Sequence, residues 1–445
     1  MATAYSGQGG FGGDFFAMFK QVFNERRVKV QTFNRRPFMK ALDFKDDFVG
    51  STYDLTVGFE DPQGGSADFA TAMNQGQYGA VGSGVNAPAT QAVRFIINRG
   101  REYQSIQMLN EEIEASKNDI GSLLRKKTRE QNGVLNEMSR RMDIALHNDG
   151  TGIIASFTTG SSVAVNTITL DTPQLGIRFS VGMFLQVATV RPTNGIIPAN
   201  FFLSTTPVKV TGVSRSALQG QSTLQISANL STLGAAANTQ YFLLRNGEAL
   251  GFGQNNIYGG VSGLRSWFPL ALPVAGDSFW GVDRSQDTQR LSGSRYFGSN
   301  GEKYESTFQN ASAELCNQES NPGAVLANPL DLNKYSQELG NKVRYEEVSD
   351  PKTGLKTKGT IVQGQSGDMI AFADPQVDPG MFYMLDMSTL WVKHLNAVPH
   401  LIDSDGNSAL RDTTNTRDAI QMGWRAWYQL VCDEPGKNLV GTFAP

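Results

Sequence analysis

The stretch KNDIGSLLRKKTREQNGVLNEMSRRMDIALHNDG, Lys117 to Gly150, is the one long helical pattern in a chain that otherwise reads as strands and loops. Ile120, Leu123, Leu124, Val134, Leu135, Met138, Met142, Ala145 and Leu146 fall on a helical repeat, with Lys127 and Gln131 filling the same stripe near its middle. At about 1.5 Å per residue such a helix is a rod of roughly 45 Å, and HNDG supplies residues suited to a C-terminal stop. A rod with one apolar stripe needs a surface of matching length. The clearest strand in the chain, DAIQMGWRAWYQLVC, offers one: Ile420, Met422, Trp424, Ala426, Tyr428, Leu430 and Cys432 alternate with mostly polar or small residues over thirteen positions.

The chain has 445 residues, longer than one compact core usually supports, so two or three lobes are expected. A net charge of −3 with 40% apolar residues is ordinary soluble composition. No apolar run reaches spanning length, the N-terminus lacks the features of a signal peptide, and no membrane partner is expected. Cys316 and Cys432 lie far apart without metal-like spacing, which points to a reduced compartment.

DFFAMFKQVFNE predicts a short helix with Phe15, Phe16, Phe19 and Phe23 on one side, capped by Asp14. So much aromatic surface on about three turns asks for a partner, on its own domain or on another chain. Lys20 to Lys40 holds seven basic residues against one acid, a basic arm that includes Arg26, Arg27 and Lys29. It suits phosphate, an acidic neighbouring subunit, or a solvated face. Ser51–Glu60 and Thr90–Met108 read as extended strands around about thirty Gly-, Ala-, Gln- and Asn-rich residues, making a long hairpin whose tip includes Gly76, Tyr78 and Gly82. Such a hairpin is barely stable alone and must lie on something. From Thr151 to about Leu250 short period-two segments predict a small β-barrel or sandwich. Helical patterns recur at Ser299–Gln318, with Tyr304, Phe308, Ala311 and Leu315 on one face, and at Asp331–Gly340.

Catalytic and ligand-binding signatures are scarce. His394 and His400 are six apart, which suits no zinc pair, and His147 is explained by its place at a helix C-terminus. DSDGN, Asp403 to Asn407, misplaces the glycine of a calcium loop and reads as a polar turn. No phosphate loop or dinucleotide fingerprint occurs. We therefore expect no enzyme, no cofactor and no metal. Arg125, Lys126 and Arg129 belong to a basic cluster, yet Lys117–His147 carries seven basic and four acidic residues and lacks interleaved aromatics. It suits diffuse attraction to polyphosphate rather than base readout.

The order of these elements carries a resemblance. With REYQSIQMLNEEIEAS (Arg101–Ser116) leading into the helix, NNIYGGVSGLRSWFP (Asn255–Pro269), MFYMLDMSTLWVKHL (Met381–Leu395) and YQLVCDEPGKN (Tyr428–Asn438), the chain resembles major capsid proteins of tailed bacteriophages with the Hong Kong 97-type fold. The likeness runs from about residue 50 to the end. It implies an α+β fold with an N-terminal arm (1–50), an E-loop hairpin (51–108) lying across a neighbouring subunit, a peripheral domain with the spine helix (109–154), a return to that domain (251–280), an axial domain (281–380) and C-terminal peripheral strands (381–445). The block 155–250 departs from the minimal pattern and reads as an inserted β-domain for bracing, decoration or assembly control.

The function so implied is a non-enzymatic shell subunit of the virion, assembled in the host cytoplasm. Its partners would be its own copies in hexamers and pentamers, scaffolding, cement and portal proteins, and packaged double-stranded DNA held without sequence preference. Phe15, Phe16, Phe19, Phe23, Gly76, Tyr78, Gly82 and Arg94 are the expected intersubunit contacts. Arg26, Arg27, Lys29, Arg125, Lys126 and Arg129 are the expected DNA-facing residues. Some capsids of this type crosslink a lysine to an asparagine, but no lysine lies between Asp46 and Lys117, so the hairpin is expected to clasp non-covalently. Two other readings compete. A tail or baseplate subunit fits the β-block but not the solitary long helix. A β-rich carbohydrate-binding protein would need clustered carboxylates and aromatic platforms, whereas the five tryptophans are spread along the chain.

Overall fold

The computed structural model describes residues 36–48, 50, 52–61, 67–69, 90–111, 120–191, 201–204, 206–215, 220–247, 260–276, 278–340, 345–349, 356–365, 367–403, 410–411 and 419–444. In chain order the elements are α1 (Pro37–Ala41), β1 (Asp43–Lys45), β2 (Thr52–Glu60), β3 (Gln91–Asn98), β4 (Gly100–Leu109) and α2 (Ile120–His147). There follow β5 (Ile153–Thr158), β6 (Thr167–Thr169), β7 (Phe184–Ala188), β8 (Val208–Ser214), β9 (Thr223–Ile226) and β10 (Gln240–Arg245). Next come α3 (Leu264–Trp267), β11 (Ser278–Phe279), β12 (Val282–Asp283), β13 (Ser294–Phe297), α4 (Tyr304–Asn317), β14 (Ala324–Ala327) and α5 (Pro329–Leu339). The last stretch holds β15 (Tyr345–Ser349), β16 (Lys356–Gln363), β17 (Asp368–Ala373), β18 (Met381–Leu385), β19 (Leu390–His394), β20 (His400–Leu401), β21 (Leu410–Arg411), β22 (Ala419–Cys432) and β23 (Leu439–Thr442).

The long helix and the long strand share one core, as their patterns predict. β22 pairs antiparallel with β4 from Ala419↔Leu109 to Tyr428↔Gly100, and with β19 on its other side. β1, β20 and β21 complete a six-stranded sheet. Val134, Leu135, Met138, Met142 and Leu146 of α2 pack in the same cluster as Met422, Trp424, Ala426, Tyr428 and Leu430. At about 1.5 Å per residue the 28 residues of α2 span about 42 Å. Beyond α2 the chain turns through Gly150 and Gly152 at φ +77° and +73°, backbone that disfavours a β-carbon, and enters β5.

A second core lies under the order β5-β10-β7-β8-β9-β6, and a bridge from Phe157 to Leu170 links the two ends of that sheet. A third lies in the seven-stranded sheet β13-β23-β18-β14-β17-β16-β15 with α4 and α5. There Phe308 meets Tyr335 and Phe382 edge-on, with ring centroids 5.1 Å apart in both cases. The face Tyr304, Phe308, Ala311, Leu315 read from the sequence is the packed one. α5 starts at Asn328, whose side chain accepts from Leu330 N at 3.1 Å ahead of Pro329, a favoured start for a helix.

Three boundaries differ from the sequence reading. The second hairpin strand, read as continuous to Met108, breaks at Arg99. Only β3 pairs with β2, while β4 joins the six-stranded sheet. The break sits where a Cβ on Gly100 would lie 2.5 Å from Val261 Cγ2, so the backbone there is pressed against a neighbouring segment. Residues 36–48, read as the end of the arm, are built into the body. Phe38, Met39, Leu42 and Phe48 are buried, and β1 pairs parallel with β19. Segment 381–445, read as one return to a single domain, is shared between two sheets. β18, buried at all five positions, and β23 lie inside the seven-stranded sheet, whereas β19 to β22 lie in the six-stranded one. The chain thus crosses between the sheets twice, and Asn438 welds the crossings. Its Nδ2 donates to Thr389 Oγ1 at 3.0 Å, and its Oδ1 accepts from Asp386 N at 2.9 Å.

Candidate functional site

β2 and β3 form a two-stranded ribbon outside the three larger sheets, from Thr52↔Asn98 to Glu60↔Gln91. Its alternation puts Leu55, Val57, Phe95 and Ile97 into the body. The Phe95 ring lies 5.6 Å from that of Trp267 and 6.4 Å from that of Phe279, and Ile96 N donates to Trp280 O at 2.9 Å. Near the far end Arg290 pairs with Glu60 at 2.9 Å and donates to Phe59 O. The opposite face is exposed, with Arg94 and Asp54 paired across the ribbon at 2.5 Å and Ile96 partly in solvent. Among the described residues no further strand pairs with either ribbon edge, and an unpaired edge is a template for another chain.

Of the expected intersubunit residues, Arg94 lies on this outward face. Phe15, Phe16, Phe19, Phe23, Gly76, Tyr78 and Gly82 lie outside the described residues, as do the expected DNA-facing Arg26, Arg27 and Lys29 and the turn Asp403–Asn407 in all but its first residue. Arg125, Lys126 and Arg129 lie in the first half of α2.

At the C-terminal end of α2 is a charged junction that the sequence reading did not assemble. Asp374 follows β17, and the strip from Asp374 to Asp378 receives groups from several parts of the fold. From the segment between β6 and β7, the buried Arg178 donates to Gln376 O at 2.5 Å, to Gln376 Oε1 at 3.1 Å and to Ile154 O at 2.9 Å. Arg265 pairs with Asp378 at 2.7 Å. From α2 comes His147, whose Nε2 stands 3.5 Å from Asp374 Oδ2. Nδ1 of His147 lies 2.8 Å from the Asp143 carbonyl oxygen, which only accepts, so this nitrogen carries hydrogen.

Phe38 packs on the imidazole with centroids 4.9 Å apart, and Arg36 Nε lies 3.8 Å from the Asp143 carboxylate. Burial, and then the Asp374 charge, push the Asp143 carboxyl well above the usual carboxylate range, against the pull of His147, Arg36 and Arg178. Asp143, His147 and Asp374 are the groups able to hold a metal here. The four-residue spacing of Asp143 and His147 on a predicted helix was legible in the sequence; the arrival of Asp374 was not.

The same helix end is tied to the segment after β7 as well. Asp149 accepts from Arg191 Nε at 2.9 Å and from Nη2 at 2.5 Å. Burial opposes its ionisation, but the Arg191 guanidinium and the Thr151 hydroxyl outweigh that and hold its carboxyl below the ordinary range. Arg101, Arg141 and Arg245 line a cleft of about 460 Å³ between α2, β4 and β10. No helix among the described residues is long and apolar enough to cross a membrane.

No protein-family model matches this chain, and no curated protein matches it. Among solved structures it is similar to the capsid of cyanophage A-1(L), at 8% identity over 93% of each chain with a TM-score of 0.46. It is also similar to the holo-SrpI encapsulin complex of Synechococcus elongatus, at 8% identity over 93% of this chain and 89% of that one with a TM-score of 0.43. A third is Mycobacterium phage Ogopogo, at 10% identity over 92% of each chain with a TM-score of 0.37. The likeness to phage capsid and encapsulin structures extends over about nine-tenths of the chain.

Proposed function

We propose that this chain is a non-enzymatic major capsid protein of a tailed bacteriophage, whose copies form hexamers and pentamers of an icosahedral shell around packaged double-stranded DNA. The observation that carries the reading is the β2–β3 ribbon. Its inner face is fastened by Phe95 on Trp267 and, near the far end, by the Arg290–Glu60 pair, while its Asp54–Arg94 face is exposed and no further strand among the described residues pairs with it. It leads into the glycine-rich connection from Asp61 to Thr90. A two-stranded ribbon is marginal on its own, so its exposed face gains from a surface laid against it. A neighbouring copy supplies one, and the ribbon then acts as a non-covalent clasp.

The rest of the architecture suits such a subunit. α2 stiffens one sheet over about 42 Å, and the double crossing at Asn438 makes both sheets one plate. The inserted block, read as a small closed barrel, braces the plate through Arg178 and Arg191. Arg125, Lys126 and Arg129, with Arg26, Arg27 and Lys29, meet the genome by charge alone, a contact that weakens steeply with salt. Scaffolding, cement and portal proteins are the further partners of this reading.

Removing residues Gly64–Gly84 tests the clasp. The shortened chain is expected to keep its circular dichroism spectrum and thermal transition while losing assembly into fast-sedimenting particles. Normal, stable particles from that variant would contradict the assignment.

A further inference from the structure

We propose that Asp143, His147 and Asp374 bind one divalent transition-metal cation of the zinc class, which staples α2 to the end of β17. Asp143 and His147 are one helical turn apart, so both side chains leave the same face of α2, and the third ligand arrives from a distant segment. One ligand atom from each lies within 4.8 Å of the other two. Metal–ligand bonds of about 2.0–2.2 Å put the donors of a tetrahedral site about 3.4 Å apart. The 3.5 Å between His147 Nε2 and Asp374 Oδ2 already meets that, and Asp143 has only to swing inward.

The orientation of each ligand is fixed from behind. Nδ1 of His147 is held by the Asp143 carbonyl, which presents Nε2 forward, the arrangement that metal-bound imidazoles use. One oxygen of Asp374 accepts from Gln376 N at 2.9 Å, which turns the other toward His147. His147 Nε2, Asp374 Oδ2 and both carboxylate oxygens of Asp143 are buried without a hydrogen-bond partner within the chain. A buried lone pair facing a carboxylate oxygen is costly unless something positive stands between them. Arg36 Nε, 3.8 Å from Asp143, and the charge of Arg178 offset part of the two carboxylates, yet neither hydrogen-bonds Asp374 Oδ2 or the Asp143 carboxylate. One imidazole and two carboxylates suit zinc or manganese better than calcium, which prefers oxygen alone. Phe38 covers the ring, so the ion is structural rather than open to substrate.

The test uses the purified full chain, and its outcome does not depend on shell formation. After equilibration with Zn²⁺ and exhaustive dialysis, elemental analysis is expected to find about one zinc per chain. X-ray absorption should then show a single imidazole among oxygen ligands. His147→Gln and Asp374→Asn are each expected to lower the retained zinc at least tenfold, and Zn²⁺ should raise the melting temperature of the wild-type chain but not of the variants. Wild-type protein that keeps less than about a tenth of an equivalent of zinc, because a proton on Nε2 serves instead, would overturn the proposal. So would a spectrum with sulfur or with two imidazoles. If a variant fails to fold, wild-type stoichiometry and ligand identity still decide the matter.

Discussion

Asn438 carries more of the architecture than its size suggests. Wholly buried, it joins Thr389 and Asp386, on the first crossing between the sheets, to the turn of the second. Asn438→Ala removes both ends of that link and strands the Asp386 amide, so a loss of about 1–3 kcal/mol is expected in urea unfolding. Asp149 gives a pH-dependent counterpart. Its carboxyl is held below the ordinary range in the folded chain. Its contribution is therefore complete above the unfolded value, near about pH 4, and is lost as pH falls through the lower folded value. The stability difference between wild type and Asp149→Asn should be flat from about pH 6 to 8 and shrink toward about pH 3. Neither role is legible in the sequence, where EPGKN reads as a turn and HNDG as a helix stop. His147 is the sharpest instance: the dipole accounts for it alone, and only the return of the chain 227 residues later brings Asp374 to it.

At the scale of elements, what was legible follows periodicity. α2 and β22 announce themselves because a long one-sided repeat has a single good solution, a rod on a sheet. The faces of α4 and the short strands of the inserted block follow for the same reason. The break at Arg99 and the division of 381–445 between two sheets were hidden, because pairing partners leave no periodic trace. β18 reads as apolar whichever sheet receives it. The six-stranded sheet from β5 to β10 makes a prediction of its own. It has a separate core, and Arg178 holds it to the strip from Asp374 to Asp378. Arg178→Ala strands buried acceptors and should cost about 3–5 kcal/mol, as breaking buried charged contacts does. Hydrogen exchange should rise at residues 374–378 and at the start of β5, while β7 and β10 keep their protection. Uniform exposure of the whole domain would show that it does not fold around its own core.

Among the described residues the molecule holds a six-stranded and a seven-stranded sheet threaded by one chain, a long helix on the first, a second six-stranded sheet with its own core, and a two-stranded ribbon that pairs with no further strand. Sequence order alone supported the resemblance to a shell subunit, because order and texture survive where individual residues diverge. Most of the residues expected to make contacts between copies lie in the segments before Arg36 and between Asp61 and Thr90. The central claim is that copies of this chain close into a shell, and electron microscopy of the purified full-length protein, supported by sedimentation, tests it most directly. The account predicts closed icosahedral particles built of hexamers and pentamers, with each ribbon lying across an adjacent copy. A chain that remains a folded monomer at every concentration, and is absent from purified virions, would contradict it.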